Sequence, residues 1–226
     1  MQRIFCFLLF VLWFCFPWFA SSKNLGPLPS QSPSPNRLKV LSTTPEKNIA
    51  IGTWVEYAVN DRNERKNYRM KIAFVGRENN GRHTWVEIAL TGIGRPIYLK
   101  LLMEGAPGSP GEIKRLIMQA GDMQPMEMPL VQTTELLPML PRKPLVAPQV
   151  VGNVDLRTPA GMFPQSLHIR GVNADGEVMN FYHHPQALMW TLVKLEDARF
   201  TMELVGQGTG AVSRIRQMPV PFRIPQ

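Results

Sequence analysis

Short segments in which apolar and polar residues alternate make up most of the chain, and turn residues separate them. Alternation with a period of two places successive side chains on opposite faces of an extended strand. In one segment, a single face would carry Tyr68, Met70, Ile72 and Phe74. The pattern predicts strands at Gly52–Val59, Asn67–Val75, His83–Leu90 and Pro96–Met103, and five more between Val154 and Ile215.

The residues between these segments favour tight turns. Asn79-Asn80-Gly81 separates the second and third segments and predicts a hairpin from Asn67 to Leu90. Ala160-Gly161, Asp175-Gly176 and Glu196-Asp197 separate the later segments in the same way. We therefore expect the C-terminal third of the chain, from Val154 to Ile215, to form an antiparallel meander.

Two stretches depart from this alternation. Pro110 to Ala120 has Ile113, Leu116 and Ile117 at helical spacing and Gly121 after its end, which predicts a short amphipathic helix. Asp122 to Val151 is rich in proline and methionine and is typical of a lid or binding segment. We therefore predict a mainly β fold. Its large curved antiparallel sheet would form an unclosed half-barrel, with one short helix and the long loop over the concave face.

The N-terminus predicts export. Arg3 is followed by an apolar run from Ile4 to Phe16 and by Ala20-Ser21-Ser22, which are the parts of a cleavable signal peptide over residues 1–22. A retained membrane anchor and a lipidated Cys15 are the alternatives; the apolar run is short for a span, and bulky residues precede Cys15. We expect cleavage near Ser22 and a periplasmic or otherwise exported protein.

The rest of the chain divides by composition into three parts. Residues 23–48 contain five prolines among serine, threonine and asparagine, which predicts a flexible tether. Residues 49–216 would form the β domain, and residues 217–226 a C-terminal tail.

Charge and cysteine content restrict the function. The net charge of +8 becomes +7 without the signal, because Arg3 is its only charged residue. The basic residues are scattered, so we expect a solvated surface with transient contact to an anionic membrane and no nucleic-acid partner. Both cysteines, Cys6 and Cys15, lie in the signal, so the mature chain would have no disulfide or thiolate.

No motif indicates catalysis or a cofactor. His183 and His184 are adjacent on a predicted strand and would point to opposite faces, so they are poorly placed to chelate one metal ion. Ser166 and His168 lack the turn motif of a serine hydrolase, and Gly206-Gln207-Gly208 does not lie between a strand and a helix. We expect no enzyme activity, no cofactor and no metal site.

Large apolar side chains are the remaining candidates for function. A hydrophobic cavity would be lined by Trp54, Met70, Phe74, Trp85, Leu99, Phe163, Ile169, Phe181, Trp190 and Met202, under a lid of Ile113, Leu116, Ile117, Met126 and Met128. Such a cavity would bind a lipid, an acyl chain or a lipidated partner. The alternative is a structural or interaction module of the cell envelope whose closed core these residues fill. A third hypothesis is a copper site built on methionines near Met123.

Three stretches resemble the periplasmic lipoprotein carriers and sorting proteins of the LolA and LolB kind. They are GTWVEYAV at Gly52–Val59, VDLRTPAGMF at Val154–Phe163 and LVKLEDARFTMELVGQGTGAVSRI at Leu192–Ile215. The last is similar to the end of uncharacterised exported proteins in that group. The resemblance implies an unclosed β-barrel with a helical lid and a cavity that shelters the acyl chains of lipids or lipoproteins.

Overall fold

The computed structural model describes residues 49–105, 112–130, 146–172 and 176–222. Its strands are β1 (Trp54–Asp61), β2 (Lys66–Glu78), β3 (His83–Thr91), β4 (Ile97–Glu104), β5 (Ile113–Ala120), β6 (Met126–Met128), β7 (Val146–Thr158), β8 (Gly161–Val172), β9 (Val178–His183), β10 (Leu192–Glu196), β11 (Phe200–Gly208) and β12 (Val220–Pro221). A short 3-10 turn, Asn79–Gly81, connects β2 to β3. The predicted signal peptide, the predicted tether and residues 131–145 of the predicted loop lie outside the described residues.

All twelve strands belong to one sheet, in the order β12-β6-β5-β4-β3-β2-β1-β11-β10-β9-β8-β7. Neighbouring strands are antiparallel except β12, which pairs with β6 in parallel. β7 also contacts β11, although three strands separate them in the sheet order. Such a contact requires the sheet to curl, and the predicted mainly β fold with a large unclosed antiparallel sheet is confirmed.

The core lies on one face of the sheet, which we call the core face. On β1, alternation brings Val55, Tyr57 and Val59 to it, and they are almost completely buried. The same parity holds on the neighbouring strands, whose contributions include Met70, Ile72, Phe74, Val86, Ile88, Leu90, Leu99 and Leu101. Burial of these side chains is the main force that holds the strands in register.

The opposite, outer face carries a second, smaller apolar cluster. Trp85, Leu102 and Ile117 come from three adjacent strands, and Ile215 from the C-terminal segment packs against them. We call residues 211–222, which follow β11 and end with β12, the strap. The strap therefore covers an apolar surface that the alternation of β3, β4 and β5 leaves on the outer face.

The predicted helix between Pro110 and Ala120 is wrong where the structure describes it, because Ile113–Ala120 forms β5. β5 pairs with β4, and the register shifts so that Arg115 lies opposite Leu102 while Ile113 lies opposite Met103. The shift is a bulge that leaves Lys114 without a partner position. Ile113 and Leu116 both pack with the core in consequence, at a spacing of three that imitates a helix.

The predicted loop Asp122–Val151 is also partly wrong. Met126–Met128 forms β6, and Val146 to Val151 opens the long strand β7. Proline was expected to prevent regular structure here, but β6 contains no proline, and Pro148 lies in β7, which is a terminal strand of the sheet where proline is tolerated. No helix in the described part of the chain has the length and apolar character needed to cross a bilayer.

Candidate functional site

The structure gathers most of the predicted cavity residues on the core face. Eight of them pack in one cluster at 0–7% exposure: Met70, Phe74, Leu99, Phe163, Ile169, Phe181, Trp190 and Met202. They contact side chains of this chain, and their low exposure means that the described core face is filled by the protein itself.

The other two predicted cavity residues, Trp54 and Trp85, lie on the outer face. Trp85 belongs to the outer cluster under Ile215. The Trp54 indole lies on the backbone of β11, where a Cβ on Gly208 would meet the ring at 3.2 Å, and the Lys71 ammonium is 3.9 Å from the ring centroid. The glycines of the Gly206-Gln207-Gly208 sequence therefore provide a flat surface for an indole.

The predicted lid residues are distributed between the two faces of the sheet. Leu116 and Met128 lie opposite each other on β5 and β6 and belong to the core, and Ile113 packs against it. Ile117 belongs to the outer cluster, while Met126 lies opposite Met118 at the β5–β6 pair. The described structure thus places all five in strands.

The loop between β9 and β10, residues 184–191, closes the core face, and we call it the plug. Its Ala187, Met189 and Trp190 side chains are buried in the core, and the Trp190 indole meets the Phe74 ring edge-on at 6.2 Å between centroids. Gln207 makes two hydrogen bonds that hold the plug to β11, and Tyr57 makes one to the residue that follows the plug. Gln207 Oε1 accepts from the Leu188 N–H at 2.6 Å, and Gln207 Nε2 donates to the Gln186 carbonyl at 3.1 Å. The Tyr57 hydroxyl donates to the Leu192 carbonyl at 3.1 Å, just beyond the plug.

The plug has an unusual backbone. Met189, Trp190 and Thr191 have positive φ angles of 53°, 21° and 58° in succession. L-residues other than glycine rarely adopt such angles, and each costs of order 1–3 kcal/mol and persists only where the surrounding structure enforces it. The buried contacts of Trp190 therefore hold a strained segment against the sheet.

His183 lies between the core and the end of the plug. Its ring stacks on Phe181, and its Nδ1 is 3.2 Å from the Thr191 hydroxyl. Burial lowers the pKa of His183 from 6.5 to about 4, and a hydrogen bond with the Trp190 backbone opposes this shift. His183 is therefore neutral in the folded protein at physiological pH.

Acidification from pH 6.5 to pH 5 should destabilise the protein through His183. The unfolded chain binds a proton near pH 6.5 whereas the folded chain resists it down to about pH 4, so stability falls as the pH falls through this window. We expect urea unfolding to show a loss of about 1.5 kcal/mol. Carboxyl groups with lowered pKa, such as Glu127, lose their contribution only below about pH 4.5. His183→Asn should flatten the profile above pH 5, and an unchanged slope would assign the effect to another group.

The other chemical candidates make contacts typical of structural residues. The Ser166 hydroxyl donates to the Phe163 carbonyl at 2.8 Å. The His168 ring stacks on Tyr182 at 4.6 Å, and its Nε2 is 2.9 Å from Asn180 Oδ1. Ser166 is thus bonded to Phe163 and His168 to Asn180, so the two residues do not form a nucleophile and base.

The metal candidates are similarly dispersed. His184 Nδ1 accepts from the Gln186 N–H at 3.2 Å, and its ring meets Phe163 edge-on. Met128 is buried in the core, while Met123 is half exposed and its sulfur accepts a hydrogen bond from Arg95. Among the described residues, no three His, Cys, Asp or Glu side chains gather into a group that could hold a metal ion.

The outer face of β9 to β11 carries a network of mixed charges. Lys194 Nζ is 2.8 Å from Glu196 and 3.2 Å from Glu203, and the Tyr182 hydroxyl donates to Glu196 at 2.9 Å. Burial opposes ionisation of Glu196, but the hydrogen bonds from Lys194 and Tyr182 keep its pKa below the usual value. Paired charges of this kind are typical of a solvated surface.

A surface pocket of about 660 Å³ lies at the β2–β3 turn, next to the end of β4. Its lining is polar and includes Asn79, Asn80, Arg82, His83, Glu104 and Gly105. Its chemistry is unsuited to an acyl chain.

The hairpin of β7 and β8 presents apolar side chains to solvent. Val151 and Met162 are 55% and 57% exposed, and Val154 lies between them on β7 at 36%. β7 is a terminal strand of the sheet, 13 residues long, and no strand within the described residues pairs with its outer edge. Three register shifts interrupt its pairing with β8. Bulges of this kind hinder a further strand from pairing along the whole of a long edge strand. Here they leave part of the apolar edge of β7 available to a partner.

The strap was missed by the sequence analysis, as was its polar partner Glu87. Glu87 is 5% exposed and accepts hydrogen bonds from the strap, although it lies among apolar residues of β3. Ile215 stands between two arginines and entered the sequence analysis only as the end of the predicted meander and of the stretch similar to the LolA group. These contacts join residues about 126 positions apart in the sequence, and the alternation of neighbouring residues cannot predict contacts over such a separation.

Comparison with known proteins finds distant structural similarity only. No family model and no curated protein matches the sequence. The crystal structure of MucB in complex with MucA(peri) has a TM-score of 0.42 at 10% identity and covers 76% of this chain and 55% of that chain. The crystal structure of MucB has a TM-score of 0.38 at 12% identity and covers 80% of this chain and 61% of that chain. The MucA/MucB complex of Pseudomonas aeruginosa has a TM-score of 0.32 at 11% identity and covers 71% of this chain and 52% of that chain. The chain thus spans between half and two thirds of the length of these chains.

Proposed function

We propose that the chain is an exported, non-enzymatic protein of the bacterial cell envelope that binds another protein. The observation that carries this proposal is the filled core face. The side chains expected to line a ligand cavity pack instead on one another and on the plug. A core closed in this way leaves the surface as the place where the protein acts.

The β7–β8 hairpin is the proposed binding surface. Exposed apolar side chains mark interaction sites when they gather beside unpaired backbone groups, because a partner can bury the first and hydrogen-bond the second. Val151, Val154 and Met162 provide the apolar surface, and the outer edge of β7 provides the backbone groups. We expect the partner to add an extended segment to this edge.

Export is part of the proposal and rests on the sequence. The apolar run after Arg3 and the small residues at Ala20-Ser21-Ser22 support a signal peptide. Because no cysteine follows Cys15, the mature chain would need no disulfide and could fold in an oxidising or a reducing compartment. A non-enzymatic role is supported by Ser166 and His168, whose partners are structural.

The binding surface can be tested by placing a charge on it. Val151→Asp and Met162→Asp should each weaken co-purification of the envelope partner by tenfold or more, because a carboxylate would have to be desolvated in the interface. Ile51→Asp is the matched control, since Ile51 is also 55% exposed and precedes β1, whose neighbours in the sheet are β2 and β11. The measurement is quantitative mass spectrometry of proteins retained by each variant. Equal retention by all three variants would contradict the proposal.

A second candidate function is binding of a lipid or acyl chain, and the strained plug favours it. Trp190 and Met189 occupy the space on the core face where an acyl chain would lie. Their positive φ angles lower the cost of displacing the plug, because strain is released when it leaves. In this candidate, the plug opens for a lipid or the acyl chains of a lipoprotein, and the test is mass spectrometry of lipids that copurify with the wild-type protein. Protein that is free of lipid and takes up none would exclude it.

A further inference from the structure

Two adjacent histidines hold both ends of the plug. His183 is the last residue of β9, and its Nδ1 is 3.2 Å from the hydroxyl group of Thr191, the last residue of the plug. His184 is the first residue of the plug, and its Nδ1 accepts a hydrogen bond from the Gln186 N–H at 3.2 Å. The two ends are also joined directly, because the His184 N–H donates to the Thr191 carbonyl at 2.7 Å. We call His183 and His184 the latch.

The contacts of His184 require a neutral ring. A ring nitrogen that accepts a hydrogen bond carries no proton, whereas both nitrogens of an imidazolium are donors. A proton on His184 Nδ1 would therefore place two donors, the ring and the Gln186 N–H, against each other. The residue is 9% exposed, and its ring meets Phe163 edge-on at 5.5 Å between centroids. Protonation thus breaks a hydrogen bond of the plug at a site that is nearly closed to water.

The surroundings of His183 also disfavour its charged form. The Thr191 hydroxyl donates its proton to the Trp190 carbonyl at 2.6 Å, so it can only accept from His183 Nδ1. His183 therefore carries its single proton on Nδ1, and its ring stacks on Phe181. A second proton would add a charge to a buried ring, which is why burial lowers the pKa of His183 to about 4.

The described contacts of the latch bring no acidic side chain to either ring. Leu167 of β8 and Leu192 of β10 lie opposite His183, and Tyr57 of β1 donates to the Leu192 carbonyl and is uncharged as a donor. The other titratable and charged side chains of β8 to β11 lie on the outer face in contacts with one another and with Asn180: His168, Arg170, Tyr182, Lys194, Glu196 and Glu203. An imidazolium in the latch would have no counter-ion among these groups, and only water could solvate it.

The closed plug is also under backbone strain. Met189, Trp190 and Thr191 keep three successive positive φ angles while the plug is closed, and this strain is released when the plug leaves the sheet. Outside the latch, the side chain of Gln207 makes two hydrogen bonds with the plug. A short segment that is held against strain opens at a lower free energy than the strands that flank it.

We propose that the plug is an acid-sensitive closure, in which a proton on the latch releases residues 184–191 from the core face while the sheet stays folded. Opening carries Met189 and Trp190 into water and uncovers apolar side chains such as Phe74, which meets Trp190 in the closed form. The device depends neither on the β7–β8 hairpin nor on lipid binding. It is a local event, distinct from the loss of overall stability expected from His183.

Amide hydrogen exchange of the purified protein measures the opening. The Leu188 N–H is bonded to Gln207 while the plug is closed, so its exchange rate, divided by the intrinsic rate at each pH, reports the open fraction. Between pH 6.5 and pH 5 we expect this fraction to rise about tenfold, since an exposed histidine binds a proton near pH 6.5 and the closed latch resists it down to about pH 4. The amides of β1 and β2 should exchange more slowly at both pH values, and low concentrations of urea should leave the Leu188 rate unchanged.

Substitutions in the latch separate this device from a general effect of acid. His183→Asn should remove most of the rise, and His184→Asn should make it smaller, because each replaces a ring that titrates with an amide that does not. His168→Asn is the matched control, since the His168 ring lies on the neighbouring strand and stacks on Tyr182 at the outer face. It should keep the full rise. Each variant is compared with itself at the two pH values, so a change in the basal stability of the plug does not alter the result.

Two outcomes would overturn the proposal. In the first, Leu188 exchanges at the same rate and with the same urea dependence as the amides of β1 and β2, which means that the plug opens only when the whole protein unfolds. In the second, the latch variants keep the full rise, or His168→Asn loses it, which assigns the proton to another group. If one latch variant does not fold, the other decides.

Discussion

Replacing Trp190 with alanine should lower the free energy of unfolding by about 3–5 kcal/mol, the cost of truncating a large buried aromatic side chain. Trp190 is 7% exposed and belongs to the core cluster, where its ring meets Phe74. The measurement is urea unfolding followed by circular dichroism. The space left by the indole should also bind a small apolar molecule such as benzene, detected as a rise in the melting temperature.

Trp54→Ala is the matched control for this prediction. The Trp54 indole lies on the outer face between Lys71 and the glycines of β11, and its removal opens no space in the core. We expect a loss of about 1 kcal/mol and no effect of benzene. A loss no greater for Trp190→Ala than for Trp54→Ala would show that the plug does not contribute to the core, and would remove the main support for a filled core face.

Glu87→Ala should lower the free energy of unfolding by about 2–4 kcal/mol. The substitution removes a buried charged acceptor and leaves the N–H groups of Arg214 and Ile215 without it, and hydrogen bonds to charged groups contribute roughly 1.5–3 kcal/mol. Burial already lowers the pKa of Lys100 and Glu87 raises it, so loss of Glu87 should lower the Lys100 pKa further. Urea unfolding measures the stability change.

Limited trypsin digestion separates detachment of the strap from global unfolding. Arg214 and Arg216 lie in the strap, and cleavage after them requires the strap to leave the sheet. Glu87→Ala should increase the cleavage rate at these sites under conditions in which the sheet stays folded. Glu203→Ala is the control, because Glu203 pairs with Lys194 at a partly exposed position where an ion pair contributes about 0–1 kcal/mol. Equal cleavage of the two variants would contradict the anchoring role of Glu87.

The sheet could be predicted from the sequence because most strands turn an apolar side chain to the core face at every second residue. In β2, β3 and β4 the apolar set keeps a period of two, and the Asn79-Asn80-Gly81 turn joins β2 to β3 as expected. Strand parity could also have predicted that Trp54 lies on the outer face. It alternates with Val55 and Tyr57, which are core residues, so parity places it on the outer face.

β5 could not be predicted in the same way because both of its faces are covered. Leu116 packs in the core and Ile117 in the outer cluster, so adjacent apolar residues conceal the period of two. The bulge at Lys114 then gives Ile113 the spacing of a helix. The covering of Ile117 depends on Ile215, which lies 98 positions later in the chain and carries no local signal of its destination.

The central place of β1 has a consequence for how the protein is made. β1 pairs with β2 on one side and with β11 on the other, and Trp54 lies opposite Gly208, 154 positions later. A chain that emerges from its amino end can build the β1–β5 meander early, but the second edge of β1 stays open until almost the last strand is delivered. The nascent protein therefore passes through an intermediate in which one edge of β1 is unpaired and prone to aggregation. A chaperone that shields nascent chains would have its greatest effect on this intermediate.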